Sequence, residues 1–482
     1  MSPTQTQLAP DFKISKILTG LWQVADMERG GKQLDLDQAA KALMPYIERG
    51  LTTFDMADHY GSAELIVGVL HKKYIAKNQV QLLTKWVPPP GKVTKQKVRE
   101  AVQISLDRMQ LERLDLLQYH AWNYADPVWL DQLFYLQELR EEGLIHHLGL
   151  TNFDTAHLKM VLDSGIKVVS NQICFSLFDQ RAAHGMSQLC QDYGVHILAF
   201  GTLGGGFLSE KWLGQKEPDM DKLATWSQMK YKRFLDQATD WATYQELLET
   251  LKSLAKAKKV SIANLASRYI LEQQGVGGVI IGARPGISEH IEDNLNLLKS
   301  AFSPKEKETI ANILNKFQAI PGDCGDEYRK PPFLTASGDL SHHLDNFPAP
   351  YQTKAGVNGR TQVLSGTIWE DLAGFSRAVK KGNRILVSGT TATHGDRAIG
   401  GNDPASQMAF IIDKIEGALQ SLGSSLEDVV RTRIFIRNID DWEPISRVHG
   451  ERFKHIQPAN TLVQANLIGD EYLVEMEAEA VV

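Results

Sequence analysis

Residues 51–61, LTTFDMADHYG, place a buried-strand pattern directly before a dense group of ionisable side chains. The first half of this stretch is rich in β-branched and aromatic residues, which are typical of a strand. Asp55, Asp58, His59 and Tyr60 then follow within six residues. A strand that ends in so many ionisable groups predicts a functional site at the edge of a sheet.

Similar apolar runs recur through the first 300 residues and alternate with helix-like stretches. The stretch 127–143, for example, has apolar residues close to a 3.6-residue period. Strands that alternate with helices predict βαβ units and a parallel sheet. The eight runs cover residues 16–22, 51–57, 80–86, 114–122, 146–153, 167–175, 195–203 and 277–284.

Eight such units predict an α/β fold of the (β/α)8 TIM barrel type, whose active site lies at the carboxyl ends of the strands. The alternative is a doubly wound open sheet. Against that alternative, no strand end carries the Gly-x-Gly-x-x-Gly turn that opens a helix in dinucleotide-binding sheets.

The composition is that of an ordinary soluble protein, with 43% hydrophobic and 23% charged residues in a chain of 482 residues, which is long enough for two domains. A formal net charge of −6 gives no general attraction to nucleic acid or to an anionic membrane. The three cysteines are widely spaced, which excludes a disulfide framework and a zinc ribbon, and no metal site is predicted. Because there is no signal-peptide pattern and no apolar run of about 20 residues, we expect a cytoplasmic protein.

The domain organisation follows from where the alternating pattern stops. Residues 10–318 form the predicted barrel, and residues 319–360, rich in Pro, Gly, Asp and Ser, are expected to be a linker. Residues 361–482 form a smaller α+β domain of about 120 residues with the predicted order β-β-α-β-α-β-β. Within the barrel, residues 207–240 are longer than a normal βα loop, so they either shape a substrate pocket or form an inert surface excursion.

Four polar side chains fall at the ends of three consecutive predicted strands. Asp55 and Tyr60 follow the second strand, Lys85 ends the third, and His120 ends the fourth. In a barrel these ends meet at one rim. A lysine ammonium favours the phenolate form of a nearby tyrosine, and a neutral histidine can orient a carbonyl oxygen by a hydrogen bond. Such a site would protonate an oxygen while a nicotinamide cofactor delivers hydride to the carbon.

Each of these residues also has a structural interpretation. An aspartate at a strand end often caps the following helix. Lys85 is equally consistent with a solvated loop residue, and His120 with a hydrogen-bonded structural histidine. The functional interpretation depends on all four lying at one rim in this order.

Residues 10 to about 318 resemble the aldo-keto reductase family. FDMADHYG is similar to that family's Asp-x-x-x-x-Tyr stretch, LLTKW to its lysine strand and LLQYHAW to its histidine strand. The resemblance implies an NADP-dependent oxidoreductase acting on a small carbonyl substrate, with Asp55, Tyr60, Lys85 and His120 as the catalytic tetrad.

The same resemblance implies a cofactor site. LGLTNF and SNQICF match the stretches that hold the nicotinamide carboxamide, and AFGTLGGGFL matches the loop that stacks on the ring and passes the pyrophosphate. Arg284 and a helix beginning near Ser288 would face a 2′-phosphate, which favours NADPH over NADH. The sequence departs from the family at His290, where many relatives have arginine. The implied cofactor residues are Gly20, Trp22, Thr151, Asn152, Gln172, Phe200, Gly201, Leu203, Gly205, Gly282, Arg284, Asp293 and Asn294.

Three tryptophans lie beside strand ends and are expected to wall the substrate pocket: Trp22, Trp86 and Trp122. For any one of them, packing in the protein core is the alternative.

The second domain resembles the RidA-like (YjgF-type) family through GFSRAVKKGNRILVSGTTA, PANTLVQANL and VEMEAEA. Imine deaminases of that family have a cleft between the subunits of a trimer, lined by a tyrosine, an arginine and a glutamate. The corresponding positions here are Phe375, Asn460 and Glu477, and only Glu477 matches. Asparagine cannot bind a substrate carboxylate as arginine does. We therefore expect a homotrimer in which this domain is an assembly or ligand-binding module.

Two other functions stay open at this level. A barrel of this family can serve as a nucleotide-sensing regulatory protein, since a bound cofactor reports redox state without turnover. The other possibility is a bifunctional reductase and imine deaminase, against which Asn460 argues.

Overall fold

The described chain begins with an antiparallel hairpin, β1 (Gln5–Ala9) and β2 (Phe12–Ser15). Its apolar side chains, including Leu8, Phe12 and Ile14, pack among side chains inside the strands that follow. At the turn, Asp11 pairs with His146 and His147, with its oxygens 2.7 and 3.0 Å from their Nε2 atoms. The hairpin therefore covers the barrel at the amino-terminal ends of its strands. The carboxyl ends of the strands are left open for a site.

Eight parallel strands form a closed barrel, as the sequence predicts. The computed structural model describes residues 4–24, 34–76, 78–287, 290–335 and 347–482. The barrel strands are β3 (Ile17–Gly20), β4 (Thr53–Asp55), β5 (Gln81–Trp86), β6 (Leu114–Tyr119), β7 (Ile145–Thr151), β8 (Ser170–Cys174), β9 (His196–Phe200) and β10 (Val276–Gly282). Each pairs with the next in chain order, and β10 closes the ring against β3 through the pair Gly282 and Gly20.

Helices of this domain begin where the sequence offers capping side chains. Thr94, Asp154, Asp240, Ser261 and Ser303 each accept a hydrogen bond from a backbone N–H of the first turn that follows. The helices are α1 (Leu36–Lys41), α2 (Met44–Glu48), α3 (Ala63–Lys73), α4 (Lys95–Met109), α5 (Val128–Glu141), α6 (Thr155–Asp163), α7 (Met186–Tyr193), α8 (Trp226–Ala238), α9 (Trp241–Lys258), α10 (Ile262–Leu271), α11 (Ile291–Asn296) and α12 (Pro304–Leu314). Among the described residues, no helix combines the length and the apolar character needed to span a bilayer.

The predicted linker, residues 319–360, contains packed structure at both of its ends. At its start, Cys324, Glu327 and Tyr328 are buried. Glu327 pairs with Arg181 at 2.8 Å, and that arginine also pairs with Asp179 at 2.7 Å. At its end, residues 352–355 form a strand of the second domain. Residues 336–346 of the predicted linker lie outside the described residues.

The second domain is a seven-stranded sheet with two main helices on one face. Its strands and helices are β11 (Gln352–Ala355), β12 (Thr361–Leu364), α13 (Ile368–Ala373), β13 (Ala378–Lys381), β14 (Arg384–Thr391), β15 (Thr393–His394), β16 (Arg397–Ala398), α14 (Pro404–Gln420), β17 (Val429–Ile436), α15 (Trp442–Phe453), β18 (Ala459–Gln464) and β19 (Val474–Val481). The sheet order is β11-β12-β13-β14-β19-β17-β18, and β15 and β16 form a separate hairpin. The sequence did not predict β11, α13, β13 or this hairpin, because all of them are short and lack a clear period.

The two domains are packed against each other, and their buried apolar side chains form one continuous cluster. Helix α14 lies on α6. At this contact, buried His157 of α6 lies between two carboxylates, with Nδ1 2.7 Å from Asp154 Oδ1 and Nε2 2.8 Å from Asp413 Oδ2. Lys159 adds a pair with Asp403 at 2.7 Å. The second domain is therefore docked onto the barrel by charge pairs as well as by apolar packing.

Candidate active site

A cavity of about 590 Å³ opens at the carboxyl ends of the barrel strands. Residues from several strand ends and from α8 line it, together with Tyr328 from the segment after the barrel. Asp55, Tyr60, Lys85 and His120 are all in its wall, so the structure brings the four predicted catalytic residues to one site.

Lys85 and Asp55 form a buried ion pair at the base of this cavity, with Lys85 Nζ 2.7 Å from Asp55 Oδ2. Lys85 also donates to the carbonyl of Met56 at 2.8 Å. Burial lowers the pKa of Lys85, while the charge of Asp55 opposes that change. The other carboxylate oxygen accepts from Gln118 at 3.1 Å and from Gln172 at 2.7 Å. Both carboxylate oxygens of Asp55 therefore accept hydrogen bonds, and the carboxylate in turn holds the ammonium of Lys85 in place.

Tyr60 lies next to this pair. The ammonium of Lys85 is 5.0 Å from the centre of the Tyr60 ring. Trp22 and His59 meet the same ring edge-on, with ring centres 4.8 and 4.9 Å away. The phenol is therefore held between aromatic neighbours, close to a positive charge.

His120 is buried and neutral in this environment. Burial holds its pKa well below the usual range, and the charge of Arg329 acts in the same direction. Nδ1 lies 3.3 Å from the carbonyl oxygen of Thr151, which can only accept, so Nδ1 carries the proton. Nε2 then has a lone pair, and it is buried without a hydrogen-bond partner in the described protein. The sequence predicted a histidine that donates to a carbonyl, whereas this geometry makes Nε2 an acceptor.

The three residues predicted to hold the carboxamide also line the cavity. The hydroxyl of Thr151 donates to the backbone of Gln172 at 3.1 Å, and the amide of Gln172 donates to Asp55 and Gln118. Asn152 has a left-handed backbone (φ 58°), and its Oδ1 is buried without a partner in the described part of the chain. A buried acceptor in a cavity wall fits an amide N–H donor of a ligand.

The glycine-rich loop after β9 lies against α8. A side chain at Gly201 would lie 2.4 Å from the hydroxyl of Tyr231, and one at Gly205 would lie 2.7 Å from the carbonyl of Ser227. These glycines therefore allow α8 to approach the loop closely. Phe200, Gly201, Leu203 and Gly205 all line the cavity, as expected of the stacking loop.

The predicted adenosine-phosphate segment differs in part from expectation. Arg284, His290 and Asn294 line the cavity together with Gly20, Trp22 and Gly282. Helix α11 begins at Ile291 and has six residues, while Ser288, where a helix start was predicted, lies outside the described residues. Asp293 does not line the cavity. Its carboxylate accepts from Ser261 at 3.1 Å and from Asn264 at 2.9 Å, because it faces the start of α10.

Trp22 and Trp122 line the cavity, but Trp86 does not. Side chains alternate along a strand, so the inward direction of Lys85 sends Trp86 outward. Trp86 is buried in the core against Tyr119, with ring centres 5.8 Å apart. The prediction that Trp86 walls the substrate pocket is corrected accordingly.

Sequence reasoning missed three residues of the site: Gln118, Lys230 and Tyr328. Gln118 had a usable signal, because it lies two residues before His120 and a strand repeats every two residues. Lys230 lies in the long segment 207–240, and Tyr328 lies in the predicted linker. The length of the segment 207–240 predicted that it could shape the pocket, and it does line the cavity, but nothing in the sequence singled out Lys230 or Tyr328.

The three predicted residues of the RidA-like cleft do not converge within one chain. Asn460 pairs across the strands with Thr432, which is buried on the helix-covered face. Glu477 pairs with Arg433, which lies on the open face of the same sheet. Phe375 precedes β13, which is separated from Glu477 on β19 by β14, and from Asn460 on β18 by β14, β19 and β17.

Two family models match the chain. The aldo/keto reductase model matches residues 16–315, which is more than half of the chain, and the model described as Endoribonuclease L-PSP matches residues 369–482. The second match confirms the RidA-like resemblance of the C-terminal domain.

Relatives of both parts are known. A chloroplastic pyridoxal reductase of Arabidopsis thaliana is 26% identical over 317 residues, which are 61% of this chain and 82% of that protein. An uncharacterized protein of Streptomyces coelicolor is 38% identical over 120 residues, covering 25% of this chain and 90% of that protein. The solved structure of a glycerol dehydrogenase from Gluconobacter oxydans aligns with a TM-score of 0.54 and 22% identity, covering 67% of this chain and 98% of the other, and it supports the fold.

Proposed function

The chain belongs to the aldo/keto reductase family, and from this premise we propose that it reduces an aldehyde or ketone to an alcohol, or catalyses the reverse reaction, with NADPH. Tyr60 is the proton donor, and Lys85, Asp55 and His120 support it. The C-terminal RidA-like domain assembles the protein and does not hydrolyse imines. The observation that carries the proposal is the buried pair of Lys85 and Asp55 beside the ring of Tyr60.

In this proposal Tyr60 transfers a proton to the substrate oxygen, and Lys85, Asp55 and His120 assist the transfer from the same end of the cavity. The ammonium of Lys85, fixed by Asp55, stabilises negative charge on the phenol oxygen of Tyr60 as its proton leaves for a carbonyl oxygen. The new alcohol hydroxyl can then donate to Nε2 of His120, which is a buried acceptor without another partner in the described protein. In the reverse direction, the same lone pair receives the hydroxyl of an alcohol and orients it towards Tyr60.

The cavity has the features that a nicotinamide cofactor needs. Members of this family use such cofactors, and a bound nicotinamide supplies or removes hydride. The unpartnered Oδ1 of Asn152 can accept from a carboxamide N–H, and Phe200 offers a ring on which the nicotinamide can stack.

The test is a screen of aldehydes, ketones and sugars in which loss of NADPH absorbance is followed. Tyr60→Phe removes only the phenol hydroxyl, so reduction should fall by about 100- to 10,000-fold while NADPH still quenches tryptophan fluorescence. Tyr74→Phe is the matched control, because that hydroxyl bonds Asp37 at 2.7 Å and Tyr74 does not line the cavity. Turnover by Tyr60→Phe close to that of the unmodified protein would contradict the assignment.

A preference for NADPH over NADH is proposed from Arg284, which is exposed at the edge of the cavity. A guanidinium there can pair with a 2′-phosphate, which NADH lacks. Arg284→Ala should weaken NADPH binding by about tenfold and leave NADH binding unchanged, measured by fluorescence titration. Arg49→Ala is the control, since Arg49 pairs with Glu292 at 2.6 Å outside the cavity. Unchanged NADPH affinity in Arg284→Ala would refute the proposed role of Arg284 in the preference for NADPH.

A trimer is proposed because the open face of the C-terminal sheet carries exposed apolar side chains. Leu386 is 48% exposed and Val463 is 43% exposed, and β18 is an edge strand of the sheet. The helix-covered face is already occupied, since α14 packs on the barrel. Loss of imine hydrolysis is proposed from Asn460, which has no charge and donates to Thr432 at 2.9 Å.

A further inference from the structure

Lys230 is a buried lysine in the wall of the catalytic cavity. It comes from α8, inside the long segment between β9 and α9, and not from a strand end. The reaction proposed above does not use it. A lysine is rarely buried unless its charge has a structural or functional role.

The surroundings of Lys230 place it at the reacting end of the cavity. Its Nζ donates to the hydroxyl of Tyr328 at 2.6 Å and lies 5.3 Å from the centre of the Phe200 ring. The Tyr328 ring in turn lies 5.6 Å from the ring of His120. Lys230 is therefore next to the predicted nicotinamide-stacking ring, and the Tyr328 ring lies between it and His120.

The protein holds this group firmly in position. Thr225 caps the start of α8 by accepting from the backbone N–H of Gln228. On the other side, Glu327 is paired with Arg181, and Arg329 donates to the carbonyl of Asn152 at 2.7 Å. Tyr328 lies between these two anchored residues, so the lysine and the tyrosine hydroxyl meet without a need for rearrangement.

The described residues that line the cavity include more cationic than anionic side chains. Lys85, Lys211, Lys230 and Arg284 are cationic, whereas Asp55 is the one carboxylate among the described lining residues. Lys85 and Asp55 neutralise each other. Arg284 follows β10, where the cofactor phosphate is proposed, while Lys230 lies beside Phe200 and Tyr328. Lys230 therefore contributes a positive charge to the part of the cavity wall beside Phe200.

We propose that Lys230 and Tyr328 form a carboxylate subsite, so that the substrate is a carbonyl compound that carries a carboxylate group. This inference rests on the proposed reductase function and specifies its substrate class. The ammonium attracts the carboxylate in a wall of low dielectric, where a charge pair is stronger than in water. The substrate carbonyl is then directed towards the phenol of Tyr60.

The test compares two aldehydes of similar shape, 4-carboxybenzaldehyde and its methyl ester, as substrates with NADPH. The unmodified protein should have the higher kcat/KM for the acid, mainly through a lower KM. Lys230→Met should lower the acid-to-ester ratio of kcat/KM by about 10- to 100-fold, because it removes a charged hydrogen bond, and Lys230→Arg should keep most of the ratio.

Lys232→Met is the matched control. Lys232 is also a buried lysine of α8, but it pairs with Glu217 at 2.7 Å and does not line the cavity. Its acid-to-ester ratio should equal that of the unmodified protein. An equal ratio in Lys230→Met and the unmodified protein would overturn the subsite.

A binding measurement separates this inference from the proposed function. Titration calorimetry of benzoate into the protein with NADP present should show binding that Lys230→Met loses and Lys232→Met keeps. If neither aldehyde is reduced but benzoate binding depends on Lys230, the reductase proposal fails and the subsite stands. If both aldehydes are reduced and benzoate binding does not depend on Lys230, the subsite alone fails.

Discussion

The barrel and the C-terminal domain of this chain differ in where their predicted site residues lie. In the barrel, Asp55, Lys85 and His120 come from three different strand regions and meet in one cavity. In the C-terminal sheet, Asn460 and Glu477 lie on opposite faces, and Phe375 precedes β13, which is separated from both of their strands by β14. The predicted site residues therefore lie together in the barrel and apart in the C-terminal domain.

The reason for this difference is topological. The strands of a parallel barrel all run in one direction, so their carboxyl ends meet at one rim whatever their separation in the chain. The open C-terminal sheet, in which only β17 and β18 run parallel, has no such meeting point, and residues on its two faces are separated by the backbone. A cleft that uses residues of such a sheet needs a second surface, which in a symmetric oligomer is another copy of the chain.

The largest expected effect comes from breaking the barrel site at its ion pair. Lys85→Met leaves the buried carboxylate of Asp55 without its cation, so the protein should lose about 3–5 kcal/mol of stability as well as activity. The double variant Asp55→Asn, Lys85→Met removes both charges and should recover most of that stability in urea unfolding. It should stay inactive, since Tyr60 has lost the ammonium beside its ring. Carbonyl reduction by the double variant at the unmodified rate would show that the pair is only structural.

A smaller effect, on the pH dependence of stability, is expected from His157 at the contact between the two domains. Burial alone would lower the pKa of His157, but Asp154 and Asp413 raise it to about 9. The charged form is thus favoured in the folded state, and its contribution is fully present below the unfolded pKa of about 6.5 and is lost as pH rises through about 9. The free energy of unfolding should fall by roughly 3 kcal/mol over this window.

Urea unfolding between these pH values checks the sign and the size of this effect. In His157→Gln the free energy of unfolding should depend much less on pH over this range, because glutamine has no proton to release. A decrease of the same size in His157→Gln would assign the pH dependence to other groups.

The smallest effect on catalysis is expected from the open face of the C-terminal sheet. Val463→Arg places a charge on the apolar face and should convert the proposed trimer into monomers in light scattering. Carbonyl reduction should change by less than about twofold, because the barrel site is complete in one chain. Ile104→Arg, on exposed α4 of the barrel, is the control and should keep the assembly.

Either of two outcomes would remove the contrast between the regions. A monomeric unmodified protein would refute the assembly role of the C-terminal domain. Robust hydrolysis of imines generated from amino acids would show that this domain holds an active site despite Asn460.

The sequence by itself determined the barrel and that the four predicted catalytic residues lie at one of its rims. Apolar runs recurring between helical patterns define a parallel sheet, and an ionisable residue at a strand end has one rim on which to lie. The same period of two determines that Gln118 faces inward with His120 and that Trp86 faces away from Lys85. A position beside the third strand end predicts a pocket wall for Trp86, but this alternation turns its side chain into the core.

Only the tertiary structure decided what surrounds the tetrad. Lys230 and Tyr328 reach the cavity from α8 and from a Pro- and Gly-rich segment. The apolar residues of α8 have a helical spacing, but that spacing does not show that Lys230 faces the strand ends. Asp413 meets His157 across 256 positions of the chain. Contacts of this kind depend on how whole elements pack, which is set by the summed burial of many side chains and not by any local pattern.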